Sequence, residues 1–501
     1  MDFAAAVALL FFTFTAAFTS FSLLLFAVCR LLPRFCCDCH VCSTYLSATW
    51  RPSFPNLSDW FAHLLSASAT STIRVHVTRN VITASPANVH HILKSNFPNY
   101  PKGKQFSALL GDLLGRGIFN ADGHRWLFQR KMASLELGSV SVRVFASDVF
   151  NSEIESRLVP LLADAAGGEL DMQDVFRRFA FDTISRFSFG YDPGCLEISL
   201  PESEFAAAFD AASRLSAERA MAASPVVWRV KRFLRVGSER RLREAIRTVD
   251  RLAQEVIDRR RQTGFAGKSD LLSRFMAAGV EDSGGRDDGY LRDIVKSFLL
   301  AGRDTVASGL TSFFWLTSRN PAVEAKIRSE AEAVLGRHQN DAVPSFAEMT
   351  EMHYLTSAVY ETLRLFPPVQ FDSKFALNDD VLPDGTIVRK GDRVTYHPYA
   401  MGRMESIWGP DRLEFRPERW LNDDGLFVPR SPYEYPVFQG GSRVCLGKEM
   451  AIVEMKTVIL AVIRRFNVRV ADPGHEPRFS PGLTATVSGG LRMVVEEVVK
   501  R

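Results

Sequence analysis

Two stretches of this chain hold cysteine in patterns that could bind a metal. The first, "CCDCHVC", spans residues 36–42, and the second, "PVFQGGSRVCLGKEMA", spans residues 436–451 with Cys445 as its one cysteine. Thiolate sulfur is a ligand that zinc, copper and iron accept. Both stretches are therefore candidate metal sites. The ligands available in the first are Cys36, Cys39, His40 and Cys42.

The first stretch lacks the usual pattern of a structural zinc site. Such sites pair two knuckles separated along the chain, and no second knuckle follows here. Four ligands within one short loop would also strain a tetrahedral arrangement. The pattern favours a linker whose cysteines are palmitoylated, with a membrane-anchored zinc-binding scaffold as a remote alternative.

The second stretch has the form F-x-x-G-x-R-x-C-x-G, and each fixed position has a use if a haem lies over the cysteine. A thiolate axial ligand pushes electron density onto iron, and a helix that starts at the cysteine stabilises the negative sulfur. The glycines let the backbone approach the porphyrin, the arginine pairs with a propionate, and the phenylalanine shields the sulfur. These residues are Phe438, Gly441, Arg443, Cys445 and Gly447.

The stretch "ETLR" places Glu361 and Arg364 three residues apart, on one helical face. Buried together, they need a further cation to satisfy the carboxylate. The stretch "FRPERW" resembles the segment that supplies this cation in haem-thiolate enzymes, which implies Arg419. These three residues are expected to form a structural network.

The stretch "AGRDTV" resembles the oxygen-activating helix segment of haem-thiolate oxygenases. Ala301 and Gly302 are small where O₂ must fit, while Asp304 and Thr305 offer an acid and an alcohol that can relay protons. Val306 follows where a second hydroxyl would give one more hydrogen bond. Asp304 and Thr305 are the predicted catalytic residues.

The elements that position these motifs are mostly helical. The 501 residues are 46% hydrophobic and 24% charged, which is typical of a folded protein. A net charge of +4 gives no indication of a nucleic-acid partner. Apolar residues over 238–264 recur at helical spacing, Asp384-Gly385 predicts a hairpin turn, and a buried helix is predicted to start at Cys445.

Together these motifs resemble the cytochrome P-450 superfamily over roughly residues 58–500. The resemblance implies a mainly α fold with small β-sheets, a haem b cofactor, and electrons from NADPH delivered by a separate NADPH–cytochrome P-450 reductase. Trp126 and Arg130 of "WLFQR" resemble the family's W-x-x-x-R, which holds a haem propionate, and Lys374 is a further basic partner for one. Lys131 and Lys448 are candidates for the reductase-docking face.

Longer strings, "FPPVQFDSKFALNDD" and "ASLELGSVSVRVFA", resemble a plant group that hydroxylates fatty-acid chains at the ω end. Within that group the chain is most similar to enzymes that oxidise the terminal carbon of jasmonoyl-isoleucine. The resemblance implies terminal hydroxylation of a carboxylate-bearing lipid-derived substrate, continuing to the acid. Free fatty acids are the alternative substrate, and a haem sensor is a remote alternative function. The implied pocket residues are Leu300, Ala301, Val369, Phe371, Ala485 and Thr486.

The N-terminal run from Phe3 to Val28 contains no charge and is long enough to cross the ~30 Å core of a bilayer. Asp2 replaces the basic start of a cleaved signal peptide, and Arg30 and Arg34 place the following chain in the cytosol. We expect an anchor over residues 1–29, a juxtamembrane linker over 30–57 and a haem-thiolate monooxygenase domain over 58–501. This predicts a single-pass protein of the endoplasmic reticulum membrane with a cytosolic catalytic domain.

Overall fold

The computed structural model describes residues 39–138, 140–201, 203–222, 225–268, 270–278, 288–336, 346–474 and 476–498, with Cys37 and single positions between 12 and 23. The predicted anchor lies almost entirely outside these residues. Within the portion that is described, no helix combines the length and the apolar character needed to cross a bilayer.

Helices make up most of the described chain. The first ten are α1 (His40–Ser47), α2 (Leu57–Ala67), α3 (Pro86–His90), α4 (Gly103–Leu114), α5 (Gly123–Leu137), α6 (Val140–Glu153), α7 (Val159–Asp164), α8 (Met172–Phe189), α9 (Glu204–Met221) and α10 (Pro225–Leu234). The next are α11 (Gly237–Thr263), α12 (Leu271–Ala278), α13 (Asp288–Leu299), α14 (Thr305–Arg319), α15 (Pro321–Leu335), α16 (Phe346–Glu351), α17 (His353–Leu365), α18 (Pro398–Met401), α19 (Glu405–Trp408) and α20 (Lys448–Ile463).

The strands form small sheets at the edges of the helical body. They are β1 (Thr72–Val75), β2 (Asn80–Thr83), β3 (Glu169–Asp171), β4 (Asp372–Phe375), β5 (Asp380–Val381), β6 (Ile387–Val388), β7 (Arg393–Tyr396), β8 (Phe466–Val470), β9 (Phe479–Ser480), β10 (Thr486–Val487) and β11 (Arg492–Glu497). One sheet has the order β1-β2-β7-β4 and another β3-β11-β8, while β5-β6 and β9-β10 are pairs. Only β2 and β7 run parallel among these pairings.

The longest element at the centre of the molecule runs from α13 through a π-helical segment, Leu300–Asp304, into α14. Almost all of α14 is buried, and it packs against α8, α17 and α20 in the largest apolar core. Gly309 allows the contact with α20, because a Cβ there would lie 2.9 Å from Cε of Met455. The helix bearing the predicted proton relay therefore touches the helix that follows Cys445.

The N-terminal part of the described chain packs on the four-stranded sheet. Cys42 on α1 and Trp60 and Leu65 on α2 are buried in one cluster with Val75 and Val81 of β1 and β2. The segment expected to act as a linker is thus helical from His40 to Ser47 and contributes to a core.

Two local predictions agree with the structure and one needs correction. The amphipathic pattern over 238–264 lies in α11, and Gly385 adopts φ +83° in the turn before β6. The helix predicted to start at Cys445 starts three residues later, at Lys448, with Gly447 as its N-cap. The cysteine lies in the loop before the helix because two short 3₁₀ turns, Pro436–Phe438 and Gly441–Arg443, occupy the preceding chain.

Candidate active site

The loop around Cys445 is fixed by its own backbone. The Cys445 N–H donates to the carbonyl oxygen of Phe438 over 2.8 Å, which closes the loop between the two 3₁₀ turns. Gly441 has φ +60°, and a Cβ there would lie 2.0 Å from the carbonyl oxygen of Leu93. Gly441 is therefore required both for its backbone conformation and for the close approach of the neighbouring segment.

The sulfur of Cys445 lies in a concave setting. Its side chain is exposed, yet the protein around it desolvates the thiol and raises its pKa. The Gly447 N–H and the charges of Arg130 and Lys448 act in the opposite direction and favour the thiolate. The sulfur therefore faces an open space that the rest of the protein surrounds.

Gly447 also faces open space, because a Cβ added there would meet no heavy atom within 4 Å. The loop thus presents a sulfur and a bare stretch of backbone to the same region. A flat cofactor can approach a backbone without side chains.

Cationic side chains gather beside this loop. The guanidinium of Arg443 lies 4.5 Å from the ring centre of Trp126 and donates to Oδ1 of Asp122 over 2.7 Å. Its buried Nε has no hydrogen-bond partner within the described structure. One helical turn after Trp126, Arg130 is half-buried, and burial lowers its pKa while the nearby Cys445 raises it. The site holds donor capacity that the protein itself does not use.

A second cationic pair lies on β4 and before α4. Asp372 accepts from Nζ of Lys102 over 2.5 Å and from Nζ of Lys374 over 2.7 Å. Burial alone would raise the pKa of Asp372, but the two ammonium groups hold it well below its usual range. Burial lowers the pKa of Lys374 to about 7, and the charges of Lys102 and Arg443 add to that effect. Three cations share this region, so an anionic group would be stabilised here.

A π-helical segment lies between α13 and α14 and leads into the predicted acid–alcohol pair. A π segment inside a helix often marks a functional site, because it widens the helix and redirects side chains. Thr305 donates its hydroxyl to the carbonyl oxygen of Ala301, and Asp304 pairs with Arg303 at 3.0 Å. The buried Arg303 also bonds Asp210 of α9. Burial raises the pKa of Asp304, Arg303 opposes that shift, and Asp210 adds to it.

Gly302 has a packing role in addition to the small size predicted from the sequence. A Cβ at Gly302 would lie 2.4 Å from Cδ1 of Ile184 on α8. The π segment therefore lies directly on α8, and a larger residue would push it away. This contact fixes where Asp304 and Thr305 are held.

The predicted Glu–Arg–Arg network is present as hydrogen bonds. Glu361 accepts from Nε of Arg364 over 2.7 Å and from Nε of Arg419 over 2.7 Å, and all three side chains are nearly or fully buried. Trp420 adds a donor that sequence reasoning missed, with its indole N–H 2.9 Å from Oε2 of Glu361. Arg364 also donates to the carbonyl oxygens of residues 402, 412 and 414. The network ties α17 to the chain that leads to the Cys445 loop.

The predicted pocket residues come from segments that the fold brings together. Leu300 packs with Leu446 and Leu483 against one apolar cluster. The N–H of Ala485 donates to the carbonyl oxygen of Pro368 over 2.8 Å, which joins the chain around residue 485 to the chain before Val369. The half-buried members of the predicted set are Leu300, Ala301, Val369, Phe371 and Thr486, whereas Ala485 is buried.

These features fit a haem. An open sulfur, the bare backbone at Gly447, and the cations Arg130, Lys374 and Arg443 correspond to an axial ligand, a porphyrin face and two propionates. Sequence reasoning missed the pairing of Lys102 with Asp372 in this group. Asp372 lies two residues before Lys374, but Lys102 is 270 residues away along the chain, so no local pattern marks the pair.

Comparisons with known proteins agree with this geometry. A family model described as "Cytochrome P450" matches residues 67–490. The chain is 60% identical to "Cytochrome P450 94C1" of Arabidopsis thaliana over 491 residues, covering 97% of each chain. It is 44% identical to "Cytochrome P450 94A2" of Vicia sativa over 462 residues, covering 89% of this chain and 88% of the relative.

A solved structure gives the same fold at lower identity. The "Crystal structure of cytochrome P450DA heme domain" matches with a TM-score of 0.70 and 23% identity, over 84% of this chain and 88% of that one. The mainly helical architecture with small sheets is therefore the one expected from the motifs. The chain belongs to the cytochrome P450 family: it is a monooxygenase that uses haem iron and receives its electrons from a redox partner.

Proposed function

We propose that this monooxygenase hydroxylates the terminal carbon of jasmonoyl-isoleucine and oxidises the product further to the carboxylic acid. The observation that carries the oxidative part is the Asp304–Thr305 acid–alcohol pair at the end of a π-helical segment, whose Leu300 packs in one apolar cluster with Leu446, the residue after Cys445. Bound haem iron would supply the activation of O₂. The resemblance of two longer strings of the sequence to the plant ω-hydroxylase group supports this choice of substrate.

Each residue of the site has one task in this proposal. Cys445 would supply the thiolate that holds the haem iron, and Phe438 and Gly441 fix its loop. Burial favours the protonated form of Asp304 by raising its pKa, and Thr305 is the adjacent hydroxyl that would pass a proton onward. Arg303 holds the Asp304 carboxyl in place and is itself bonded to Asp210.

The propionates are held by the cationic side chains. Arg443 offers an unused Nε, and Arg130 lies beside Cys445. Lys374 already contacts Asp372, so a propionate would share its ammonium group. The ring of Trp126 packs against the guanidinium group of Arg443.

The substrate-facing side is apolar, which suits an alkyl chain. Leu300, Val369 and Phe371 supply branched and aromatic surface and no charge. Burial of a substrate methylene against such surface contributes about 0.8 kcal/mol. The terminal methyl group can therefore be directed to the iron while the carboxylate stays toward the entrance.

Free fatty acids are the alternative substrates. They share the alkyl end and the carboxylate with jasmonoyl-isoleucine and differ in the amide and the isoleucyl side chain. Both substrate classes require the same haem site, so the pocket and its entrance decide between them.

The N-terminal residues 1–29 are proposed to anchor the domain to the endoplasmic reticulum membrane, with the domain of residues 58–501 in the cytosol after the juxtamembrane segment. NADPH–cytochrome P-450 reductase would dock from that side, where Lys131 is exposed. The sequon at Asn56 provides a test of topology. Asn56 of the sequon Asn56-Leu57-Ser58 should stay unglycosylated because it would face the cytosol, and glycosylation there would refute this orientation.

The test of function uses full-length protein in microsomes with a plant reductase. Initial rates with NADPH are compared for jasmonoyl-isoleucine and for medium- and long-chain fatty acids, with products identified by mass. The expected result is terminal hydroxy and carboxy products from the conjugate at a much higher kcat/KM. Asp304→Asn serves as the matched control for background oxidation.

Other outcomes have definite meanings. Preference for free fatty acids would leave the haem chemistry intact and replace the substrate. Rearrangement or dehydration without reductase would refute the monooxygenase mechanism, and so would absence of turnover by a protein that binds haem through Cys445, which is the behaviour of a sensor.

A further inference from the structure

The sulfurs of three cysteines meet where the described chain enters the folded body. Sγ of Cys37, Cys39 and Cys42 all lie within 4.8 Å of one another. Sγ of Cys37 and Cys39 are 3.3 Å apart, well beyond the ~2.0 Å of a disulfide bond. In a zinc site with Zn–S bonds of about 2.3 Å, neighbouring sulfurs lie about 3.8 Å apart. The three sulfurs thus occupy the space of a single coordination sphere.

This set differs from the one expected from the sequence. Cys36 lies outside the described residues, and Cys37 takes the third position. The ring of the exposed His40 is directed along its own helix, with Nε2 3.4 Å from Oγ1 of Thr44. A strained four-ligand loop is therefore not required, because three sulfurs suffice and the helix itself brings two of them together.

The fold holds these sulfurs in place. Cys39 is the N-cap of α1, and its sulfur accepts from the N–H of Cys42 over 3.4 Å. Cys42 is fully buried and receives a further backbone hydrogen bond from Val77, which follows β1. Cys37 and Cys39 are half-buried and keep one side open to solvent. Helix, sheet and solvent thus define a preformed site with an open outer face.

We propose that Cys37, Cys39 and Cys42 bind a thiophilic d¹⁰ metal ion, Zn²⁺ or Cu⁺. Zn²⁺ would take the three sulfurs and a water on the open side, and Cu⁺ would be satisfied by the three sulfurs alone. Each thiol would lose its proton to solvent when the metal binds. This site is distinct from the haem site and joins α1 to the turn after β1.

Other uses of these cysteines fit the geometry less well. A disulfide would employ two of the three sulfurs and leave the third beside it. Acylation needs an accessible thiol, and Cys42 has none of its surface exposed. A metal is the partner that explains why a buried thiol and two half-buried ones converge.

The site also has a structural consequence. A bound ion would link the segment at Cys37 to the core that contains Trp60 and Val75. The preceding chain would then leave the domain in a fixed place and direction. Reductase and substrate reach a membrane-bound enzyme from defined sides, so such a constraint would orient the domain.

The experiment measures metal in the full-length haem protein. Zinc, copper and iron are determined by mass spectrometry in protein purified without added metal or chelator, and iron serves as the count of folded chains. The expected ratio is about one zinc or copper per iron. It should fall at least about fivefold in Cys39→Ser and in Cys42→Ser, because two thiolates bind a d¹⁰ ion much more weakly than three.

Cys195→Ser is the matched control, since Cys195 is a buried cysteine of the distant α8–α9 region. It should keep the metal-to-iron ratio of the parent protein. A ratio that falls equally in this control would attribute the metal to general thiol content and overturn the proposal.

A second measurement needs no variant and applies even where a serine substitution prevents folding. Alkylation of Cys37 and Cys39 in the parent protein is followed by peptide mass spectrometry, with Zn²⁺, with Cu⁺ under anaerobic reducing conditions, and with a chelator. Protection of both thiols that the chelator reverses is the expected result, and the ion that protects at the lower concentration identifies the metal. Thiols that react equally under all conditions, or that are already acylated or joined in a disulfide, would refute the site.

Discussion

Replacement of Glu361 by alanine should prevent formation of a stable haem protein. The Glu361 carboxylate is fully buried and accepts hydrogen bonds from two guanidinium groups, one indole and one backbone N–H. Alanine removes both carboxylate oxygens, so all of these donors lose their acceptor at once. Arg364, with no exposed surface, would keep its charge without a carboxylate.

The magnitude follows from what is left unpaired. Removing one partner of a buried ion pair costs about 3–5 kcal/mol, and an orphaned buried donor such as the Trp420 indole costs about 1–3 kcal/mol more. The expected loss in the free energy of unfolding is therefore about 5 kcal/mol. Domains are stable by only about 5–15 kcal/mol in total, so most of the Glu361→Ala chains should fail to retain haem.

The assay compares iron per chain, the ferrous carbon monoxide spectrum and the thermal midpoint of the parent, Glu361→Ala and Glu361→Gln. Glutamine keeps one acceptor oxygen and should lie between the other two. Glu418→Gln is the control, because Glu418 pairs with Lys326 at the surface, where a pair contributes less than about 1 kcal/mol. A Glu361→Ala protein with full haem content that melts within about 2 °C of the parent would refute the conclusion that this buried network stabilises the fold.

Three further predictions concern the distal side and a buried acid. Asp304→Asn should lower product formation at least about tenfold while NADPH is still consumed, because the proton relay is lost; equal coupling of NADPH to product would count against the relay. Gly302→Ala should cost about 1–3 kcal/mol and lower the thermal midpoint, because its methyl group would meet Ile184; an unchanged midpoint would show that α8 yields. Burial raises the pKa of Glu454 to about 8, so the folded state binds the extra proton and stability falls from about pH 4.5 to about pH 8 by at most about 1.4 kcal/mol per pH unit. Glu454→Gln should flatten that decline in thermal midpoints measured across this range, and an unchanged slope would assign it to other groups.

Local patterns in the sequence were sufficient for the chemistry of the site. The spacing of Glu361 and Arg364 places both on one helical turn, and the glycines around Cys445 mark a loop that must approach something flat. Residues of one motif stay near one another in any fold, because a few peptide units limit their separation. For that reason the Glu361–Arg364 pair and the acid–alcohol pair could be named without coordinates, whereas Arg419, 58 residues from Glu361, was implied only by the resemblance to the family.

The tertiary structure decided what depends on distant segments. Lys102, Lys374 and Arg443 come from three distant parts of the chain, and only the packing of β4 against the start of α4 and the Cys445 loop brings their charges together. The same holds for Asp210 beside Arg303 and for Trp420 beside Glu361. The π segment also escaped the sequence, because no residue type marks the single inserted residue that shifts the helical phase.

The cysteines near the N-terminus show the same division. Their order along the chain named a possible metal site with Cys36, Cys39, His40 and Cys42. The structure brings Sγ of Cys37 to those of Cys39 and Cys42, while Cys36 lies outside the described residues. The fold buries Cys42 against β1 and turns Cys37 toward Cys39. Sequence thus determined which side chains could react, and tertiary packing decided which of them meet, since direction in space depends on how each element is held by its neighbours.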